Sequence, residues 1–183
     1  MIVSVIGLGY IGLPTATIVA SKKIKVFGVD NDEGVVNSIN NGTISLPEPN
    51  LNSEVKKVIK NKYFRAQSKI QYADIHIICV PTPIRKNKKP DLSFIESAIN
   101  QISPILKKGN MIILESTSPV GTTEKIAKLI SNKRKDLYIP FFSKNKGMDK
   151  ICDIFIAYCP ERVLPGNIMN ELVNNMRIIG GIN

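Results

Sequence analysis

The chain has no apolar run approaching the roughly 18 residues of a membrane-spanning helix, and no charged segment ahead of its first apolar stretch. That stretch runs straight into a glycine turn. A membrane partner and a secretory leader are therefore not expected. Cysteines are few. Cys79, Cys152 and Cys159 show neither disulfide nor metal spacing, and an odd count without a leader points to a reducing cytoplasm. Aromatics make up only 6% of the chain, and none interleaves the basic clusters Arg85–Lys89, Lys107–Lys108 and Lys133–Lys135. A base-stacking platform would need them there, so the net charge of +10 does not mark a nucleic-acid partner. An anionic nucleotide ligand plus solvated lysines accounts for it. Internal repeats and low-complexity tracts are absent. What remains is ordinary globular composition, 43% hydrophobic and 22% charged. A length of 183 residues suits one α/β domain and is short for two.

The organising stretch is Met1 to Asp30. Ile2, Val3, Val5 and Ile6 form a nearly continuous apolar segment, the pattern of a strand buried on both faces. Gly7, Gly9 and Gly12 follow at the G-x-G-x-x-G spacing, then a helical stretch over Ile11 to Ser21, the apolar run Val26 to Val29, and Asp30. Gly7 permits the tight turn out of the strand. Gly9 leaves room for a pyrophosphate to approach the backbone, and Gly12 allows close helix–sheet packing. Free amides near Tyr10 and Ile11, at the helix N-terminus, suit the phosphates. Asp30 suits both ribose hydroxyls and would repel a 2′-phosphate, so the expected cofactor is NAD rather than NADP. A strand before the glycines, a helix after them and an acid about 20 residues on are the context that gives this motif meaning.

Further along, Asp32 to Asn41 reads as a helix closed by Asn41-Gly42. Leu46-Pro-Glu-Pro-Asn50 can only be an ordered loop. Asn52 to Lys60 is a second helix, Phe64 to Ala66 a short strand, and Ile75 to Val80 a buried parallel-type strand. That strand stops at Pro81-Thr82-Pro83, which faces Thr82 toward the crevice at the strands' carboxyl ends. The basic loop Arg85 to Pro90 reads as mobile. A helix starts at Asp91 or Ser93 and runs to Leu106. Met111 to Leu114 is another strand, ending in the hydroxyl-rich turn Glu115 to Glu124, where Thr117 sits at the strand terminus and Thr122 or Thr123 caps the next helix. Residues 132–150 are basic and irregular. Asp153 to Tyr158 is the last clear strand and delivers the loop Cys159 to Gly166. A helical turn or two follows over Ile168 to Val173, then the apolar run Met176 to Ile179. The single histidine, His76, lies mid-strand and reads as a satisfied core residue. Cys79 reads as a reduced core cysteine. Six or seven strands alternating with helices imply a doubly wound parallel sheet, a Rossmann-like NAD-binding domain.

Five stretches together resemble the UDP-glucose/GDP-mannose dehydrogenase family. They are Val5–Pro14, Gly28–Asp30, Val80–Pro83, Glu115–Glu124 and Tyr158–Gly166. Tyr158–Gly166 with Arg177–Gly181 is most similar to the members that convert UDP-N-acetyl-D-mannosamine to its uronate for surface polysaccharide of the enterobacterial common antigen type. The resemblance implies oxidation of a sugar C6 alcohol to a carboxylate with two NAD molecules, through a cysteine-bound aldehyde and a thioester. It assigns Tyr10, Ile11 and Asp30 to the cofactor, Thr82 and Thr117 to cofactor contact, and Thr117 also to holding a catalytic water. Glu161 falls to acid/base chemistry or water activation. Arg162 and Val163 fall to the segment that meets the UDP-sugar substrate.

The resemblance also implies what these residues lack. The family's nucleophilic cysteine lies in a downstream G-x-C motif, and its lysine and asparagine lie on a central helix. None of these has a counterpart here, and none of Cys79, Cys152 or Cys159 stands in. The expectation is one NAD-binding domain over residues 1–183, which binds NAD but does not turn over alone, with a separate chain as a possible source of the missing domains. The alternative expectation is a non-catalytic dinucleotide-binding remnant, or a subunit of a split enzyme. The basic segment Phe141 to Lys150 is longer than its family counterpart.

Overall fold

A computed structural model describes residues 1–139 and 152–182; most of the basic stretch 132–150, including Phe141 to Lys150, lies outside the described residues. The elements run β1 (Ile2–Ile6), α1 (Gly12–Ser21), β2 (Lys25–Val29), α2 (Glu33–Asn40), α3 (Leu51–Lys60), β3 (Phe64–Gln67), β4 (Ile75–Ile78), α4 (Ser93–Ile102), β5 (Asn110–Leu114), α5 (Thr122–Lys133), β6 (Ile154–Tyr158), α6 (Ile168–Asn174) and β7 (Gly180–Ile182). They form one sheet in the order β3-β2-β1-β4-β5-β6-β7. The first six strands are parallel. The seventh returns antiparallel to β6, pairing Tyr158 with Gly180 and Ile156 with Ile182.

The strand order gives the fold its crevice. From β1 the chain winds outward through β2 and β3, then crosses back to place β4 on the other side of β1. The connections therefore leave β1 and β4 in opposite directions at their carboxyl ends, the switch point where open α/β sheets bind ligands. Alternating residues sort into two cores. Val3, Val5, Val26 and Ile77 face α1 and α3, with Leu13, Leu51 and Val55. Ile6, Val29, Ile78, Ile112 and Leu114 face α4 and α5, with Ile95, Ile99, Ile126 and Ile130. Each such fully buried aliphatic side chain stabilises the fold by about 1.5–3 kcal/mol relative to exposure. No helix among the described residues is long and apolar enough to cross a membrane.

Several local expectations need correction. β4 ends at Ile78, three residues before Pro81, although the Cys79 amide still donates to the Ile6 carbonyl of β1. The helix expected to reach Leu106 breaks at Ile102 into a 3-10 turn over Ser103–Ile105, where Pro104 removes a backbone donor. Neither threonine caps α5. Gly121 in left-handed conformation occupies the cap position, and the Thr122 hydroxyl donates to the Pro119 carbonyl at 2.7 Å. The loop after Pro83 is a closed hairpin, with Ile84 bridged to Pro90, the Arg85 amide donating to the Lys89 carbonyl and Arg85 paired to Asp91 at 2.7 Å. In the apolar run Met176 to Ile179, Met176, Ile178 and Ile179 are exposed, and the last strand falls on the glycines that follow.

Candidate functional site

The site begins where β1 ends. Gly7 has φ +91°, and a Cβ on it would lie 2.5 Å from the Cys79 carbonyl oxygen. A Cβ on Gly12 would meet the Gly7 carbonyl oxygen at 1.8 Å. Neither position tolerates a side chain, because the turn brings β1, β4 and the start of α1 into backbone contact. Gly9 is different: nothing lies within 4 Å of where its Cβ would be, so this residue faces open space. The amides of Tyr10 and Ile11 make no hydrogen bond to any described residue and sit at the N-terminus of α1. Open space, free amides and a helix terminus together fit a diphosphate.

Asp30 closes the far side of this loop. One carboxylate oxygen accepts from the Leu8 amide at 2.9 Å and the other from the Asp32 amide at 3.0 Å. The acid thus braces the glycine loop against the end of β2, and each oxygen keeps a lone pair for an incoming hydroxyl. Asp32 in turn caps α2, accepting from the Gly34 and Val35 amides at 2.8 and 3.2 Å.

Three strand-end loops complete the enclosure. After β4, Thr82 donates its hydroxyl to the Thr117 carbonyl at 2.7 Å. After β5, the Ser116 hydroxyl donates to the Val80 carbonyl at 2.8 Å. These bonds lock the two loops side by side. After β6 comes Glu161, whose carboxylate accepts from the Val163 amide at 3.2 Å. The cavity between the loops measures about 560 Å³ and is lined by Gly7, Gly9, Tyr10, Ile11, Asp30, Thr82, Thr117 and Glu161. That volume is typical of small-molecule sites, about 300–1,000 Å³. Gly12 lies just behind this wall. Arg162 is exposed and Val163 half-buried; neither is on the cavity wall.

The structure adds residues that sequence reasoning passed over. Phe94, Ser97 and Gln101 bring one side of α4 onto the cavity, an exposed aromatic beside two polar residues on the helix edge away from its buried face. Glu115, 2% exposed, is the hub of the floor. It pairs with Arg177 through one oxygen and accepts from the Thr15 hydroxyl and the Cys79 thiol, both at 3.1 Å, through the other. Glu48, from the proline loop, accepts from the Ile168 amide at 2.5 Å and the Gly166 amide at 3.0 Å. It caps α6 across more than a hundred residues of sequence, where Asn167 gives no side-chain cap.

Cys79 is a free cysteine that packs against the core on the α1 side, as expected, and also lines the cavity. Burial and the adjacent Glu115 carboxylate hold its thiol well above the ordinary range. Burial also raises the Cys159 thiol, with Arg177 opposing. Thiolate nucleophiles need the reverse, a depressed pKa. His76 is fully buried, but it is not satisfied: both ring nitrogens lack a hydrogen-bond partner among the described residues, as does the Ser4 hydroxyl beside it in register. Burial drops its pKa to about 4.

A doubly wound sheet with a glycine-turn diphosphate cradle, a braced acid at the end of β2 and a cavity at the switch point defines a dinucleotide-binding domain. The chain belongs to the UDP-glucose/GDP-mannose dehydrogenase family, whose NAD binding domain matches residues 1–183. NAD is therefore the cofactor class of this domain. Among curated relatives, UDP-N-acetyl-D-mannosamine dehydrogenase of Yersinia pestis is 51% identical over 180 residues, 98% of this chain and 42% of that protein. NDP-N-acetyl-D-galactosaminuronic acid dehydrogenase of Ralstonia nicotianae is 49% identical over 180 residues, 98% of this chain and 41% of that one. The solved UDP-D-ManNAc dehydrogenase of Pyrococcus horikoshii superposes with a TM-score of 0.88 at 38% identity, over 99% of this chain and 41% of its own. The chain thus spans about two fifths of the length of the relatives it matches.

Proposed function

We propose that this chain is the cofactor-binding part of an NAD-dependent nucleotide-sugar 6-dehydrogenase, acting in the cytoplasm on UDP-N-acetyl-D-mannosamine to form the uronate for surface polysaccharide of the enterobacterial common antigen type. The observation that carries the reading is the convergence of Asp30, Thr82, Thr117 and Glu161 on one cavity beside the glycine turn. When bound, NAD supplies the hydride acceptor. The Tyr10 and Ile11 amides would hold its diphosphate, and Asp30 would accept from the ribose hydroxyls. Thr82 and Thr117 line the cavity and would contact the cofactor, and Thr117, exposed in the loop after β5, would also hold the catalytic water.

Glu161 moves the proton for that water, its carboxylate held at the cavity edge by the Val163 amide. Arg162 is exposed and suits the anionic diphosphate of a UDP-sugar, and half-buried Val163 follows it in the same segment. The raised thiols of Cys79 and Cys159 support a nucleophile supplied from outside these 183 residues, on the same polypeptide or a separate chain. The mannosamine assignment draws on the Yersinia and Pyrococcus relatives; the Ralstonia relative carries another sugar name.

The test is turnover. This chain alone, given UDP-N-acetyl-D-mannosamine and NAD, is expected to bind NAD without sustained formation of reduced cofactor, followed by the absorbance of its dihydronicotinamide ring. Addition of a polypeptide bearing the remaining domains is expected to restore turnover. Sustained turnover by the chain alone would contradict the reading.

A further inference from the structure

From Met176 to Gly180 the chain is exposed at every residue except Arg177. Met176, Ile178 and Ile179 are 87%, 67% and 68% exposed. This segment carries the chain from α6 to β7, and its one inward-turned residue is a charged one. The Arg177 guanidinium reaches the buried Glu115 carboxylate and the Cys159 carbonyl, the latter at 3.3 Å. Glu115 in turn lines the NAD cavity and holds Thr15 of α1 and Cys79 at the end of β4. A single carboxylate–guanidinium pair therefore ties together the ends of β4, β5 and β6, the first turns of α1, and the approach to β7.

We infer that Glu115 and Arg177 are a positioning pair that couples occupancy of the NAD cavity to the docking of the β7 edge. The inference rests on the cavity being the NAD site. Two physical features support it. A ligand seated against Glu115 excludes water from the pair, and a charge pair strengthens as its surroundings lose water. The Arg177 Nε is also buried with no partner among the described residues, so the guanidinium is held incompletely. A half-satisfied buried donor has most to gain when its neighbours tighten. Coupling is reciprocal, so whatever orders the segment around Arg177 raises NAD affinity by the same factor that NAD raises its order. Glu115 and Cys159 flank the arginine directly after β5 and β6, their amides bonded to the Ile78 and Leu114 carbonyls, and so the responsive side is the exposed segment.

Amide hydrogen exchange on the intact chain, with and without saturating NAD, tests this. In the wild type NAD is expected to slow exchange at Tyr10 and Ile11, and at residues 180–182 by about five-fold or more, the lower range of site-to-site coupling. Arg177→Met is expected to keep the slowing at Tyr10 and Ile11 and lose it at 180–182. Arg177→Gln, which leaves the cavity-lining Glu115 in place, carries the same expectation should the methionine variant fail to fold. Slowing at 180–182 that survives in the folded variant, or that is missing in the wild type while Tyr10 and Ile11 are protected, overturns the inference. No protection at Tyr10 and Ile11 in the wild type overturns the cofactor reading and this inference with it.

Discussion

The Thr82 hydroxyl donates to the Thr117 carbonyl at 2.7 Å, joining loops that leave adjacent strands 35 residues apart. Both threonines line the cavity, so the bond sets the spacing of its two hydroxyl-bearing walls.

Removing that bond therefore has a selective effect. Thr82→Val is expected to lower global stability by no more than about 1 kcal/mol, the usual net worth of such a hydrogen bond. NAD affinity is expected to fall several-fold, as the loops lose their register. Thr82→Ser, which keeps the hydroxyl, is expected to bind NAD like the wild type. Urea unfolding and calorimetric titration of the three proteins separate the two effects.

Glu48 makes a purely structural prediction. Its carboxylate satisfies the Gly166 and Ile168 amides at the entry to α6. Glu48→Ala leaves both donors without that partner, at a cost of about 1–3 kcal/mol. Glu48→Gln, which keeps an acceptor, is expected to lose less. The urea midpoint reads both, and exchange at residues 163–168 is expected to rise in the alanine variant ahead of global unfolding.

His76 predicts acid sensitivity. Its folded pKa of about 4 lies below its unfolded value of 6.5, because burial disfavours the imidazolium, with Asp74 partly opposing. Between those values the unfolded chain binds more protons, so the contribution is complete above pH 6.5 and is lost as pH falls toward 4. The full loss is about 3 kcal/mol. His76→Leu is expected to remove this part of the slope, while the paired carboxylates keep theirs. Chemical denaturation at pH 7, 5.5 and 4, values spanning the histidine range, compares the two proteins.

These residues show what could be read from the chain before its fold. The glycine turn and Asp30 were legible because the chemistry is local: a turn, a helix start and an acid one strand later. The doubly wound sheet was legible from the alternation of apolar runs with helical periods. Thr82 and Thr117 stood out because each follows a strand that ends in a proline-containing turn, and Glu161 stood out through the resemblance of Tyr158–Gly166 to the family. The Glu115–Arg177 pair was not legible, since its members are 62 residues apart and Glu115 reads as one more polar residue in a turn. Glu48 reaches 118 and 120 residues along the chain, and no local pattern marks a carboxylate as the cap of a distant helix. For His76, strand periodicity indicated burial, but not whether the facing residues would offer partners. β7 was missed because glycines carry no strand propensity; its position comes from pairing with β6.

The central claim is that the Gly7–Asp30 cradle selects NAD. Titration of the wild-type chain and of Asp30→Ala with NAD and NADP, followed by calorimetry, tests it most directly. The wild type is expected to bind NAD at least about ten-fold more tightly than NADP, a difference of about 1.4 kcal/mol. Asp30→Ala is expected to lose NAD affinity and most of the discrimination, since both the hydroxyl acceptor and the brace on the Leu8 amide are gone. Equal affinity of the wild type for the two cofactors, or no binding of either, would contradict it.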